Sequence, residues 1–257
     1  MKAKVLNKKR KKLINVLSPF IVLVLLVMVW EISVIVLKIP RTVFPSFSSI
    51  IVYTIRNFAV NIWPHALVTI RTALLGIICG VPLGILLAAV FSQFKILIYG
   101  MTPVVLALVV TPLITLVPLF MLWLGFDYEP RFIVVIVAAV PIILLNTLNG
   151  FRNVPGKYTE LMSGYGASKL AVFRKVVFPN ALPQVFTGIK LGCIFSTTAT
   201  TSIEMVAGNP GLGYRVTYFS SQIQTELVFG CILCIAIIGL GLFSTISFIE
   251  RRIVHWL

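Results

Sequence analysis

The sequence predicts an all-α integral membrane protein with about six transmembrane helices, and three observations carry that fold class. Mean hydropathy is +1.05. Charged residues make up only 11% of the 257-residue chain, against about a quarter in ordinary soluble domains. The apolar residues also fall in runs of about 20, the length at which a helix crosses a ~30 Å hydrocarbon core. Such runs and short loops use up the chain, so residues 1–257 are expected to form one membrane domain without a large soluble unit.

The formal net charge of +15 is placed by position. Residues 1–16 carry Lys2, Lys4, Lys8, Lys9, Arg10, Lys11 and Lys12 directly before the first run, Leu17 to Leu37. That is the basic cytoplasmic flank of a first span, with attraction to anionic lipid, and it assigns the charge to the membrane surface rather than to nucleic acid. The run is too long for a signal peptide and lacks an A-x-A site. Residues 45–62, from PSFSSIIVYTIRNFAVNI, read as a helix too mixed to cross. Ser46, Ser48 or Ser49 can cap it, and it suits the outer interface with Trp63 as an anchor.

The second span covers Ala66 to Phe91, where Gly76, Gly80 and Gly84 recur every fourth residue and so predict close helix packing. The third covers Leu97 to Leu124 and carries Pro103, Pro112 and Pro118 with Thr111 and Thr115. It reads as one bent helix, either beside a pathway or simply kinked. Phe132 to Asn149, Val185 to Val206 and Leu227 to Ile249 complete the six. With the amino terminus inside, the outer side keeps only Lys38, Arg41, Arg56, Arg71, Arg131 and Arg215 of the 22 Lys and Arg residues. The positive-inside rule then puts both termini and residues 157–183 in the cytoplasm. Cys79, Cys193, Cys231 and Cys234 all lie in apolar runs and read as packing residues, so neither a metal site nor a catalytic group is expected.

Residues 157–183 form a cationic, glycine-punctuated stretch between two apolar runs. Glycines 164 and 166 interrupt a first short helix, and Ser168 can cap a second. Leu170, Phe173 and Val177 then make an apolar face at i, i+3 and i+7, Pro179 ends the helix, and Pro183 starts the next span. A short amphipathic helix in water needs its face covered, by the protein's own inner rim or by another protein.

On the fifth span Gly188, Gly192, Ser196, Thr200 and Glu204 recur every four residues along one face, which Thr197, Thr198 and Thr201 widen. Two readings stand: close packing with hydroxyls bonded back to helix carbonyls, or the wall of a translocation path. The carboxyl of Glu204 favours the path, because an ionisable residue inside the membrane points to function. Arg71 lies at the same outer depth and is the expected ion-pair partner of Glu204, with Glu31 also at hand. The glycines of GNPGLG, residues 208–213, supply positive-φ turns in the outer loop.

Glu160, Gly166, Ala167, Ser168, Phe173 and the ending FPNALP, with Pro179 and Pro183, resemble the cytoplasmic EAA loop of binding-protein-dependent ABC importer permeases. Leu161 and Met162 stand where that motif has alanines. PSFSSI, LVTIRTALLG, FTGIKLG, IEMVAG, GLGYR and ERRIVHW extend the resemblance from about Phe44 onward to the nitrate, sulfonate and taurine type. The resemblance implies a type I permease fold whose cytoplasmic loop is a coupling helix. It implies two copies of an ATPase subunit that binds ATP and magnesium, an extracytoplasmic substrate-binding protein, a homodimer, and the bacterial inner membrane. The cargo would be a small organic anion or a related nutrient, such as a pyrimidine. Many such permeases carry tryptophan at the position of Thr197, which implies a differently shaped path here. No G-x-x-x-x-G-K-[ST] stretch is present, so the chain is not expected to be an enzyme and the motor must be separate. The rival is a self-sufficient secondary transporter, which would need inverted repeats and a midplane ion site.

Overall fold

The computed structural model describes residues 2–125, 129–208 and 210–255, with side chains over 17–125, 131–208 and 210–255. Among these residues every regular element is helical. Helix α1 (Lys2–Val36) leads, and its apolar part is almost wholly exposed. It is held to α2 (Phe47–Asn57) by a ring cluster of Trp30, Phe44, Phe47 and Phe229. Ser46 caps α2 as expected, its Oγ accepting from Ser49 N at 3.4 Å.

α2 is not the separate interfacial helix predicted over 45–62. It runs through a π-helical turn, Phe58–Ile62, straight into α3 (Trp63–Gln93). Pro64 lies in the first turn of α3, where a missing N–H costs nothing, and the wider π-turn leads the chain into it.

The predicted third span is broken. α4 (Lys95–Val110) and α5 (Leu113–Leu124) meet at 99°. Pro112 drives Thr111 into extended backbone (ψ 122), which no helix tolerates. α6 (Glu129–Arg152) follows, then α7 (Gly156–Gly164), the one-turn α8 (Lys169–Val172), a second π-turn Phe173–Val177, α9 (Phe178–Ala207), α10 (Leu212–Ser221) and α11 (Thr225–Ile253).

Four described helical stretches are long and apolar enough to cross a membrane, five if the bent α4–α5 pair counts as one span. The fifth predicted span, α9, has the length at 30 residues, but its threonine run lowers its apolarity. Apart from Thr198, the threonines of that run are covered by protein, so lipid does not demand apolarity of them.

α6 sits between α3 and α9 at the centre. The stripe Gly76, Gly80 and Gly84 of α3 packs on Val135, Ala139 and Ile143 of α6, as the spacing predicts. A Cβ at Gly76 would collide with Val135, and one at Gly84 would stand 2.8 Å from Ile143. From the other side Gly188 and Gly192 of α9 close on Asn146 and Ile143. Glycine at each crossing brings backbones together, which is how helices gain dispersion contact where lipid offers no hydrophobic drive. Cys231 is fully buried in the cluster that α10 and α11 form with the start of α3, and Cys193 is buried on α9, in line with a packing role, whereas Cys79 is exposed.

Candidate functional site

At one end of the bundle, side chains from two helices satisfy the opening amides of a third. α10 begins at Gly211–Leu212–Gly213 with no side-chain cap of its own. Gly211 N donates to His65 Nδ1 at 3.1 Å, Leu212 N to Thr69 Oγ1 at 2.9 Å, and Gly213 N to Glu204 Oε2 at 2.9 Å. The Thr69 hydroxyl in turn donates to the Glu204 carboxylate at 2.9 and 3.0 Å. Because His65 Nδ1 accepts, the ring of a neutral His65 carries its proton on Nε2. Glu204 is 1% exposed. A carboxylate there meets both the orphan N–H groups and the positive end of the α10 dipole.

The glycines of this turn are required by that approach. A Cβ at Gly211 would overlap the Glu204 carboxyl, and one at Gly213 would overlap the Thr201 carbonyl. Gly208 closes α9 in the left-handed region at φ 64, so the positive-φ turn predicted for the outer loop is present.

The expected Arg71–Glu204 pair is not formed. Among the described residues the ion pair is Lys190–Glu250, 2.8 Å, joining α9 to α11. Arg71 is exposed. Two residues along a helix turn by about 200°, so Thr69 rather than Arg71 faces Glu204: the depth was right and the face was wrong. The cation acting on Glu204 through space is Arg131 of α6, itself buried.

The polar side of α9 also differs from the favoured reading. Ser196, Thr197, Thr200 and Thr201 are all buried against neighbouring helices. Ser196 donates to Ala73 O on α3, while Thr197 and Thr201 donate back to Cys193 O and Thr197 O. These residues therefore form packing inside the subunit and do not reach an open wall. Thr198, on the next face, is exposed. It lines a cavity of about 170 Å³ at the α4–α5 elbow, with Thr111, Val137 and Phe195.

At the other end lies the predicted cytoplasmic loop. Gly164 ends α7, and Gly166 takes φ +76, a conformation that favours glycine. Ser168 caps α8, accepting from Ala171 N at 3.3 Å. Phe173 packs edge-on against Phe151 at 5.1 Å and, with Val177 and Phe178, seats the segment on this end of the bundle. Leu170 does not share that face and is 74% exposed. The π-turn changes the angular step between Phe173 and Val177, while Leu170 lies ahead of it in the one-turn α8. Pro179 does not end the helix either, and Pro183 lies inside α9. The Phe178 N–H reaches Phe173 O across the π-turn, and Pro179 enters in the first turn of α9, where it needs no donor. Glu160, Tyr165 and Leu161 face outward beside Leu170, and Ala167 is half-buried.

A helical bundle with a helix hairpin seated on one end is matched by known proteins. Residues 80–255 match the family described as binding-protein-dependent transport system inner membrane component. The chain belongs to that family. It is an ABC importer permease subunit and a multi-pass membrane protein, and the secondary-transporter alternative falls away. The formylaminopyrimidine transport permease protein ThiX of Halalkalibacterium halodurans is 26% identical over 246 residues, covering 96% of this chain and 98% of that protein. The putative aliphatic sulfonates transport permease protein SsuC of Bacillus subtilis is 27% identical over 225 residues, covering 88% and 79%. Among solved structures, a crystal structure of an amino acid ABC transporter with histidines shares the fold, with TM-score 0.59 at 17% identity over 82% of this chain and 98% of that one.

Proposed function

We propose that this permease works as one of two identical copies, each engaging one copy of a cytoplasmic ATPase that binds ATP and magnesium. Both termini and the α7–α8 hairpin face the cytoplasm, and cargo arrives from an extracytoplasmic binding protein. ATP binding and hydrolysis move the hairpin, and the bundle alternates between outward and inward openings. The cargo is a small nutrient; relatives with cargo in their names point to a pyrimidine and to sulfonates.

The observation that carries this reading is the division of the hairpin into two faces. Phe173 and Val177 hold it to the bundle, while Leu161, Tyr165 and Leu170 stand 60%, 83% and 74% exposed in a setting of Lys169, Arg174 and Lys175. Large apolar side chains left bare beside charges on a rigidly seated element fit a docked partner. Pull-down of the tagged chain from its native membrane tests it. ATPase activity should travel with the wild type and fall about tenfold with Leu170→Asp, a central contact of such a patch. Absence of ATPase from the wild-type eluate, or full retention by Leu170→Asp, would reject the coupling role.

A further inference from the structure

We propose that the cavity at the α4–α5 elbow is a resting site for cargo, built for an uncharged, single-ring heteroaromatic solute rather than a free organic anion. The proposal rests on the importer reading above and narrows its cargo.

Size is the first constraint. The cavity is partly open and offers about 170 Å³, close to the ~150 Å³ of an apolar cavity that holds benzene. One ring with small substituents matches that volume, whereas a fused ring system would extend through the open side.

Charge is the second. Residues 108–113 line one side, with Val137 and Ala138 of α6 and Phe195, Thr198 and Ala199 of α9 on the others. None of the lining residues is charged. A sulfonate or nitrate would lose its water there without a cation to meet it, and unpaired charge is the costliest thing to bury.

Hydrogen-bonding pattern is the third. The Thr111 and Thr198 hydroxyls spend their protons on Ala107 O and Ile194 O, at 2.7 and 3.1 Å, and so present lone pairs. Pro112 has no N–H, so the Leu108 carbonyl four residues earlier loses its helical donor. Leu113 then opens α5 with an amide that has no partner inside that helix. The residues lining the cavity at the 99° bend thus carry hydroxyl acceptors at Thr111 and Thr198, a carbonyl at Leu108 freed of its helical donor, and an amide donor at Leu113. A heteroaromatic ring edge bearing an amino group and a ring nitrogen complements that set, and Phe195 offers an aromatic face. The exposure of Thr198, beside the buried Ser196, Thr197, Thr200 and Thr201, makes this the accessible side of α9.

The test is a ligand-observed NMR titration of the full-length chain in nanodiscs, with empty nanodiscs as blank. The probes are 4-amino-2-methylpyrimidine and ethanesulfonate. Saturable binding is expected for the pyrimidine alone. It should weaken about tenfold in Ala138→Phe, which fills the cavity, and about fivefold in the near-isosteric Thr198→Val, which removes an acceptor without burdening the fold. Ethanesulfonate binding of comparable strength, pyrimidine binding unchanged in both variants, or no saturable binding of either probe would each overturn the proposal. None of these outcomes depends on an ATPase, so the coupling reading stands or falls separately on the pull-down.

Discussion

Glu31 and Glu204 each hand a carboxylate to the start of a helix in another segment. Glu31, on α1, accepts from Ser48 N at 3.1 Å and from the Ser48 hydroxyl at 2.6 Å in the first turn of α2. Glu204, on α9, accepts from Gly213 N in the first turn of α10 and from Thr69. The chemistry is the same, a charged group meeting orphan amides at a helix N-terminus. The surroundings are opposite: the Ser48–Glu31 bonds lie at an exposed site, and the Glu204 bonds lie in the interior. Where water can replace a lost cap, the cap only adjusts stability. Where water is excluded, the remaining groups are stranded, and the cap becomes a condition of the local fold.

Three substitutions test that contrast. Glu204→Ala strands the Gly213 amide, while the Thr69 hydroxyl falls back on His65 O, and should destabilise the purified protein by about 2–3 kcal/mol, read from denaturant unfolding in detergent. Gly211→Ala forces a Cβ into the Glu204 carboxyl and should cost about 2 kcal/mol, with faster amide exchange confined to the start of α10. Glu31→Ala should cost only about 0.5–1 kcal/mol and lose most of that effect at high salt. If Glu31→Ala proved as damaging as Glu204→Ala, burial would not be what separates the two sites.

Local chemistry was readable where it depends on a few neighbouring residues. Ser46 and Ser168 cap the helices expected of them, Gly166 takes its positive φ, and the Gly76, Gly80 and Gly84 stripe meets a partner helix. The site was readable only in part. Glu204 stood out as a carboxyl in an apolar run, but His65 and Thr69 carry no such signal, because a threonine in a membrane helix most often bonds its own backbone. The four-residue step from His65 to Thr69, opposite a G-x-G turn, is the trace that could have suggested them. α10 itself read as loop, since its opening amides are satisfied by residues distant in the chain.

Composition and run length determined by themselves that this chain lives in a membrane as helices, because hydrocarbon leaves the backbone no other partner than itself. The same residues marked one polar, glycine-punctuated stretch, residues 157–183, that interrupts them. Tertiary structure alone decided which way each helix turns. A rotation of one residue, about 100°, separates Thr197 in the packed interior from Thr198 at the cavity, and that rotation is set by glycine contacts with α6 and by the π-turn at Phe173–Val177. Sequence spacing locates a side chain along a helix axis, whereas its direction depends on neighbours that only the assembled bundle supplies.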